Sequence, residues 1–482
     1  MNDINTQDAG AGTPDAMIDA SCRVPLLALF GGAALWLVVG LTLALVASLN
    51  FHMPEKFGNC AWLTYGRVQP AANDAILYGF AIPAALGVML WIFARLGRTE
   101  LVLPLVPVVA ANIWNLGVAV GLVAILIGDS TSFTWLEFPR GSSVLLFAAF
   151  LLIAISAVAT FGARRRRELH PSHWFLLAAL FWFPWIYSTA NLFLTAHHPV
   201  RGVTQAVIGW WFADNLVFVW LALAGIGTAF YFLPKLAGRQ LQSHYSALFA
   251  FFTLMLFGTW CGIPQGAPVP AWLPALSSVG SSLTIVPLIA IAIIFVKTIC
   301  DSTVCCKGGP LCYIKFGTVA FILSGLMLIA SACPQISRVT EFTWFGPAQI
   351  QLQLLGFFAM TMFGAVYYIL PRTTGFEFPF PKLARVQNWF SLAGLALFIL
   401  PLAVGGVEQG MKLQNPQIPF ADISNSSLMF LRVSTTGQLL LLLGGLIFAL
   451  NVFGLTFKWK MALLKSLIAA IKSPLEIAEV KS

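Results

Sequence analysis

Residues 348–372 read AQIQLQLLGFFAMTMFGAVYYILPR, an apolar run with glutamines at 349, 351 and 353. It is long enough to cross a hydrocarbon core of about 30 Å at 1.5 Å per residue. A membrane helix has no ordinary use for three amides at alternate positions. The stretch therefore fixes the structural class and raises a question about what the amides face.

The surrounding chain extends the same reading. Of its 482 residues 59% are hydrophobic and only 9% charged, with a mean hydropathy of +0.85. Soluble domains carry about 25% charged residues, so an all-α integral membrane protein is expected. Apolar windows fall near 24–49, 75–96, 103–128, 142–162, 173–194, 205–233, 245–263, 276–297, 316–333, 346–370, 387–405 and 436–457. They predict about twelve transmembrane helices in one domain over 23–457. A polar, disordered tail is expected over 1–22, and an amphipathic tail resting on the membrane over 458–482. The first span reads as retained, because a polar stretch precedes it and its apolar run is too long for a signal peptide. The external connection near 406–435 reads as the longest loop.

An even number of spans puts both termini on one side. Of the 27 basic residues, 20 fall at that side's ends, among them Arg95, Arg98, the run from Arg164 to Arg167, Lys235, Lys315 and Arg372. The positive-inside rule then makes both termini cytoplasmic, in a bacterial inner membrane. The net charge of +9 is spread over these loops, which gives no basis for nucleic-acid binding. Cys300, Cys305, Cys306 and Cys312 cluster after the eighth span without paired CxxC spacing, and read as loop thiols or an unrecognised metal site.

Ionisable groups inside spans are costly and are functional candidates by default. Asp214, beside Asn215 in GWWFADNLVFVWL, is the main one, and Asp74 sits at the mouth of the second span. The six histidines, His52, His170, His173, His197, His198 and His244, all read as lying outside the bilayer interior. None of them reaches a cofactor at mid-membrane.

Four segments carry a resemblance. WWFADN followed by FYFLPK, GAPVPAW, MFGAVYYILPR and YGRVQPAANDAILYGF resemble subunit I of the haem-copper oxidases, in its C family of cbb-type cytochrome c oxidases. The resemblance covers residues 20–457 and agrees with twelve spans. It implies six histidine ligands, and every one falls on another residue. The low-spin haem position is Ala72. The copper positions are Asp214, Pro264 and Gln265. The H-x-H that serves two haems is Gln349 and Gln351, and the modified tyrosine is Gly258. Residues two apart on a helix point about 200° apart, which suits one helix between two haems. Glutamine offers only a hard, weak amide oxygen there.

The adopted reading is a cofactor-free relative of oxidase subunit I, with neither haem nor copper. It acts as scaffold or anchor for membrane-attached cytochrome c-type subunits in a respiratory electron-transfer complex. A second reading keeps electron transfer, with one unusual haem b or a quinone in the emptied pocket. A third makes Asp214, Asn215, Gln349 and Gln351 a polar site for proton, ion or solute transport. Gln353 matches no ligand position.

Overall fold

The computed structural model describes residues 14–57, 59–300 and 309–479, with side chains described through 468 apart from that of residue 300. It is all-helical, with no strand among the described residues. Among the described residues eleven helices are long and apolar enough to cross a membrane: α1 (Pro14–Asn50), α2 (Tyr65–Gly97), α3 (Leu105–Ile127), α4 (Arg140–Gly162), α5 (Pro171–Thr195), α6 (Val203–Ala237), α8 (Trp272–Ile299), α9 (Pro310–Ser331), α10 (Phe345–Thr374), α11 (Pro381–Leu413) and α12 (Phe420–Glu479). Between α6 and α8 lies a shorter apolar helix, α7 (His244–Gly258). At 15 residues it rises only about 23 Å. The sequence assigns one longer span, near 245–263, to this stretch, whereas the helix ends at Gly258 and Thr259–Ala271 follows without regular structure.

Burial sorts the helices into two sets. In α2, α6 and α10 the most apolar windows are 100%, 94% and 94% buried, against 39–44% in the other eight candidate spans among the described residues. A helix apolar on all sides belongs inside a bundle, and one that faces lipid shows half its surface. These three form the axis. α1 packs along α2, α5 along α6 and α9 along α10, while α3 pairs with α4 and α11 with α12.

Each axial helix widens into a π segment: Ala75–Ala81 in α2, Asn215–Trp220 in α6 and Leu352–Ala359 in α10. Each segment begins one to three residues past a ligand position of the oxidase pattern, at Ala72, Asp214 and Gln351. A π turn interrupts the regular ladder and redirects the side chains before it, and such turns concentrate at functional positions.

Polar contacts pin the terminus-bearing ends of the axis. Arg95 of α2 pairs with Asp15 and Asp19 of α1, at 3.2 and 3.5 Å. The Trp91 indole donates to Asp19 at 2.9 Å. Arg23 of α1 donates to the Thr373 carbonyl of α10, and the Lys235 ammonium of α6 donates to the Tyr231 hydroxyl at 2.8 Å.

Three boundaries differ from the sequence reading. α1 starts at Pro14, inside the stretch read as a polar tail, while residues 1–13 lie outside the described set. The segment read as a long loop near 406–435 is mostly helix, because α11 runs to Leu413 and α12 begins at Phe420. The two helices hold each other through close approach: a Cβ added at Gly437 would stand 2.4 Å from the Phe398 nitrogen. The tail from 458 continues α12 without a break as far as Glu479. Of the four-cysteine cluster, Cys312 is a buried free thiol within α9, and the side chains of the other three lie outside the described residues.

Candidate functional site

The axial helices bring Asp214, Gln349 and Gln353 to one side. Asp214 ends the first, α-helical part of α6, its carboxyl buried and its Oδ2 without a partner. Gln349 and Gln353 stand four apart on α10, hence on one face. Both are buried, at 7% and 2% exposure. Gln353 shares with Asp214 and Gly258 a space of about 40 Å³, room for a water or two. Gln353 thus belongs to the Asp214 side of α10, a grouping that its spacing from Gln349 already contains. Gln351 turns away from it, half-buried, with its amide oxygen unpartnered.

A larger cavity, about 390 Å³, opens beyond Asp214 toward the loops on the face opposite the termini. Asp214, Gln349, Gln265 and Glu341 line it, with serine hydroxyls and phenyl rings between them. Gln265 is anchored through its nitrogen atoms. Its Nε2 donates to Ser278 Oγ and to the Ala332 carbonyl, each at 2.8 Å, and its backbone N–H donates to Glu341 Oε1 at 2.7 Å. The Gly266 N–H holds the other Glu341 oxygen at 3.0 Å. Asn215 Nδ2 donates to the Trp211 and Thr259 carbonyls, which ties α6 to the end of α7.

Asp214 is covered by the loop after α7. Gly262 adopts φ +105°, and a Cβ there would lie 2.4 Å from Asp214 Cβ. Only glycine permits both the turn and the contact. Ala72 is fully buried on α2, and a Cβ at Gly40 of α1 would come 3.2 Å from its carbonyl oxygen.

Sequence reasoning placed Asp74 at a helix mouth and passed over Glu137 and Glu341. Asp74 is completely buried, nine residues into α2. Glu137, from the loop between α3 and α4, is its acidic neighbour, and Asp74 Oδ1 and Oδ2 and Glu137 Oε2 are all buried without hydrogen-bond partners. Burial pushes the Glu137 carboxyl up to about 7. The clue lay in TWLEFP, where a lone acid sits among apolar residues.

The histidines stay at the ends of the bundle. The His170 and His244 rings lie 5.5 Å apart at the terminus-bearing end, and burial with that neighbour pushes His170 down to about 4. His173 is buried deeper than its position suggested, in ring contact with Phe93 and Phe161. Among the described residues no three His, Cys, Asp or Glu side chains converge on one point.

This architecture has known relatives. The family profile described as "Cytochrome C and Quinol oxidase polypeptide I" matches residues 24–440. The chain belongs to that family. Similar proteins include the cbb3-type cytochrome c oxidase subunit CcoN1 of Stutzerimonas stutzeri, 22% identical over 388 residues, covering 78% of this chain and 81% of that one. Cytochrome c oxidase subunit 1 of Rhodobacter capsulatus is 23% identical over 470 residues, 92% of this chain and 86% of its own. A solved haem-copper terminal oxidase dimer superposes with a TM-score of 0.69 at 15% identity, over 90% of this chain and 84% of that one. The fold is therefore that of oxidase subunit I.

The residues of this subunit I-like chain do not fit the haems and copper that the resemblance implies. Ala72 and Gly258 carry no donor atom. Pro264 has no ligating side chain, and Gln265, whose Nε2 is held by Ser278 and Ala332, offers only an amide oxygen. Gln349 and Gln351 offer amides alone, poor ligands for haem iron. Asp214 is the only charged donor among the six positions that the resemblance assigns to ligands, and no group of three His, Cys, Asp or Glu forms around it among the described residues.

Proposed function

We propose that this chain is a cofactor-free oxidase subunit I, retained as a scaffold or anchor for cytochrome c-type subunits in a respiratory-type assembly. The observation that carries the reading is the chemistry of the ligand positions: Ala72 and Pro264 have no donor in their side chains, and Gln265, Gln349 and Gln351 offer only amides. A site that kept its chemistry would keep free, soft or nitrogen donors facing its metal. The axial packing, in contrast, is intact, with α2, α6 and α10 almost wholly buried. We place the subunit in a bacterial inner membrane with both termini cytoplasmic, on the distribution of basic residues.

Affinity purification from native membranes in mild detergent tests the scaffold role. The expected result is co-purification of a polypeptide with covalently bound haem c, in fixed ratio to this chain. Recovery of the chain alone, or with no c-type cytochrome, would contradict it.

A further inference from the structure

We propose that the cavity beside Asp214 is a binding site for a small organic cation bearing an ammonium group. The inference rests on the cofactor-free reading, since that volume is free only when no cofactor takes it. Asp214 and Glu341 put two carboxyls on its wall, and no Lys, Arg or His is among the described residues lining it. Asp214 Oδ2 is buried without a partner, and so is the Gln349 Nε2 donor on the facing helix. Buried polar atoms left unpaired are expensive, and a buried carboxyl more so. A ligand that supplies a positive charge to Asp214 and an oxygen acceptor to Gln349 removes both costs.

Size and lining select the class of cation. At about 390 Å³ the cavity is many times the volume of one water. A bare metal ion needs a tight oxygen cage. Phe218, Phe342 and Phe345 supply apolar walls instead, and aromatic faces attract alkylammonium groups. The glycine turn at Gly262 and the Glu341 carboxyl, clamped by the Gln265 and Gly266 amides, fix the rim. The cavity faces the side away from the termini, so the ligand arrives from that compartment, either free or as the head group of a lipid.

Choline and ethanolamine are the probes, added to the purified chain in phosphatidylglycerol nanodiscs while its unfolding temperature is followed. The structure predicts a saturable upward shift with each. The uncharged carbon isostere of choline, with carbon in place of nitrogen, should give none. Asp214→Asn should weaken binding about tenfold or more, the equivalent of one lost charge contact. If that variant does not fold, Glu341→Gln takes its place and should weaken binding in the same direction. In discs rich in phosphatidylethanolamine, loss of the choline shift identifies the head group as occupant, and an unchanged shift identifies the free cation. Equal shifts from choline and its isostere, full binding by the variant that folds, or no saturable shift would overturn the proposal. The absorption spectrum of the same sample separates the two claims. Haem b in it sinks the cofactor-free reading, whereas no haem and no shift sinks this inference alone.

Discussion

At the scale of single residues, four of the six positions that the resemblance assigns to ligands hold a polar side chain, Asp214, Gln265, Gln349 and Gln351, and Ala72 and Pro264 hold none. Gly262 packs against Asp214. Any side chain there meets both a left-handed φ and the Asp214 Cβ at 2.4 Å, so Gly262→Ala should lower stability by about 2–3 kcal/mol in a denaturation titration. Glu137 gives a pH signature. Its folded pKa, about 7, exceeds the ordinary glutamate value of 4.5 because burial disfavours the charged form. The folded state then holds its proton where the unfolded state has released it. Stability from this group is full below pH 4.5, falls as pH rises to about 7 and is level above that. Glu137→Gln should flatten that slope, read as unfolding temperature against pH. Part of this scale was legible: Gln349, Gln351 and Asp214 stood out as polar residues in apolar spans. Gln353 needed its i, i+4 partner to acquire a face. The Asp74–Glu137 contact joins residues 63 apart across a loop, which no local pattern reveals.

At the scale of elements, lengths and apolar runs gave most of the helices, because crossing a hydrocarbon layer constrains both at once. What hydropathy could not give is where a helix stops once outside lipid. The polar stretch EQGMKLQNPQIPF reads as loop by composition, yet α11 and α12 carry helix on both sides of residues 414–419. Contact between the two helices overrides local propensity there. The ends of the axis depend on charge pairing. Arg95 and Asp19 have side chains only 13% and 11% exposed, so Arg95→Ala leaves a mostly buried acid without its cation. The expected loss is about 3 kcal/mol, in line with breaking buried pairs. Arg95→Ala combined with Asp19→Asn should recover a good part of it, and equal losses in the single and double variants would argue against the pairing.

At the scale of the whole molecule, the sequence supplied the twelvefold layout and the family, since four separated motifs agreed with one topology. Which helices form the axis was not legible, because α2, α6 and α10 are no more apolar than α4 or α8. Orientation has a direct test in the native cysteines. Cys60 and Cys333 are exposed, in loops on the face opposite the termini, while Cys22, Cys261 and Cys312 are buried. A membrane-impermeant maleimide added to spheroplasts should label Cys60 and Cys333, and a reporter fused at the C-terminus should stay inaccessible. The reverse pattern would invert the assigned topology. The central claim concerns the cofactors themselves. Haem b and copper measured per chain, by pyridine haemochrome and elemental analysis on the subunit isolated with its native partners, address it most directly. Neither is expected at stoichiometric level in this chain, and one haem b or one copper per chain would rule out the cofactor-free reading.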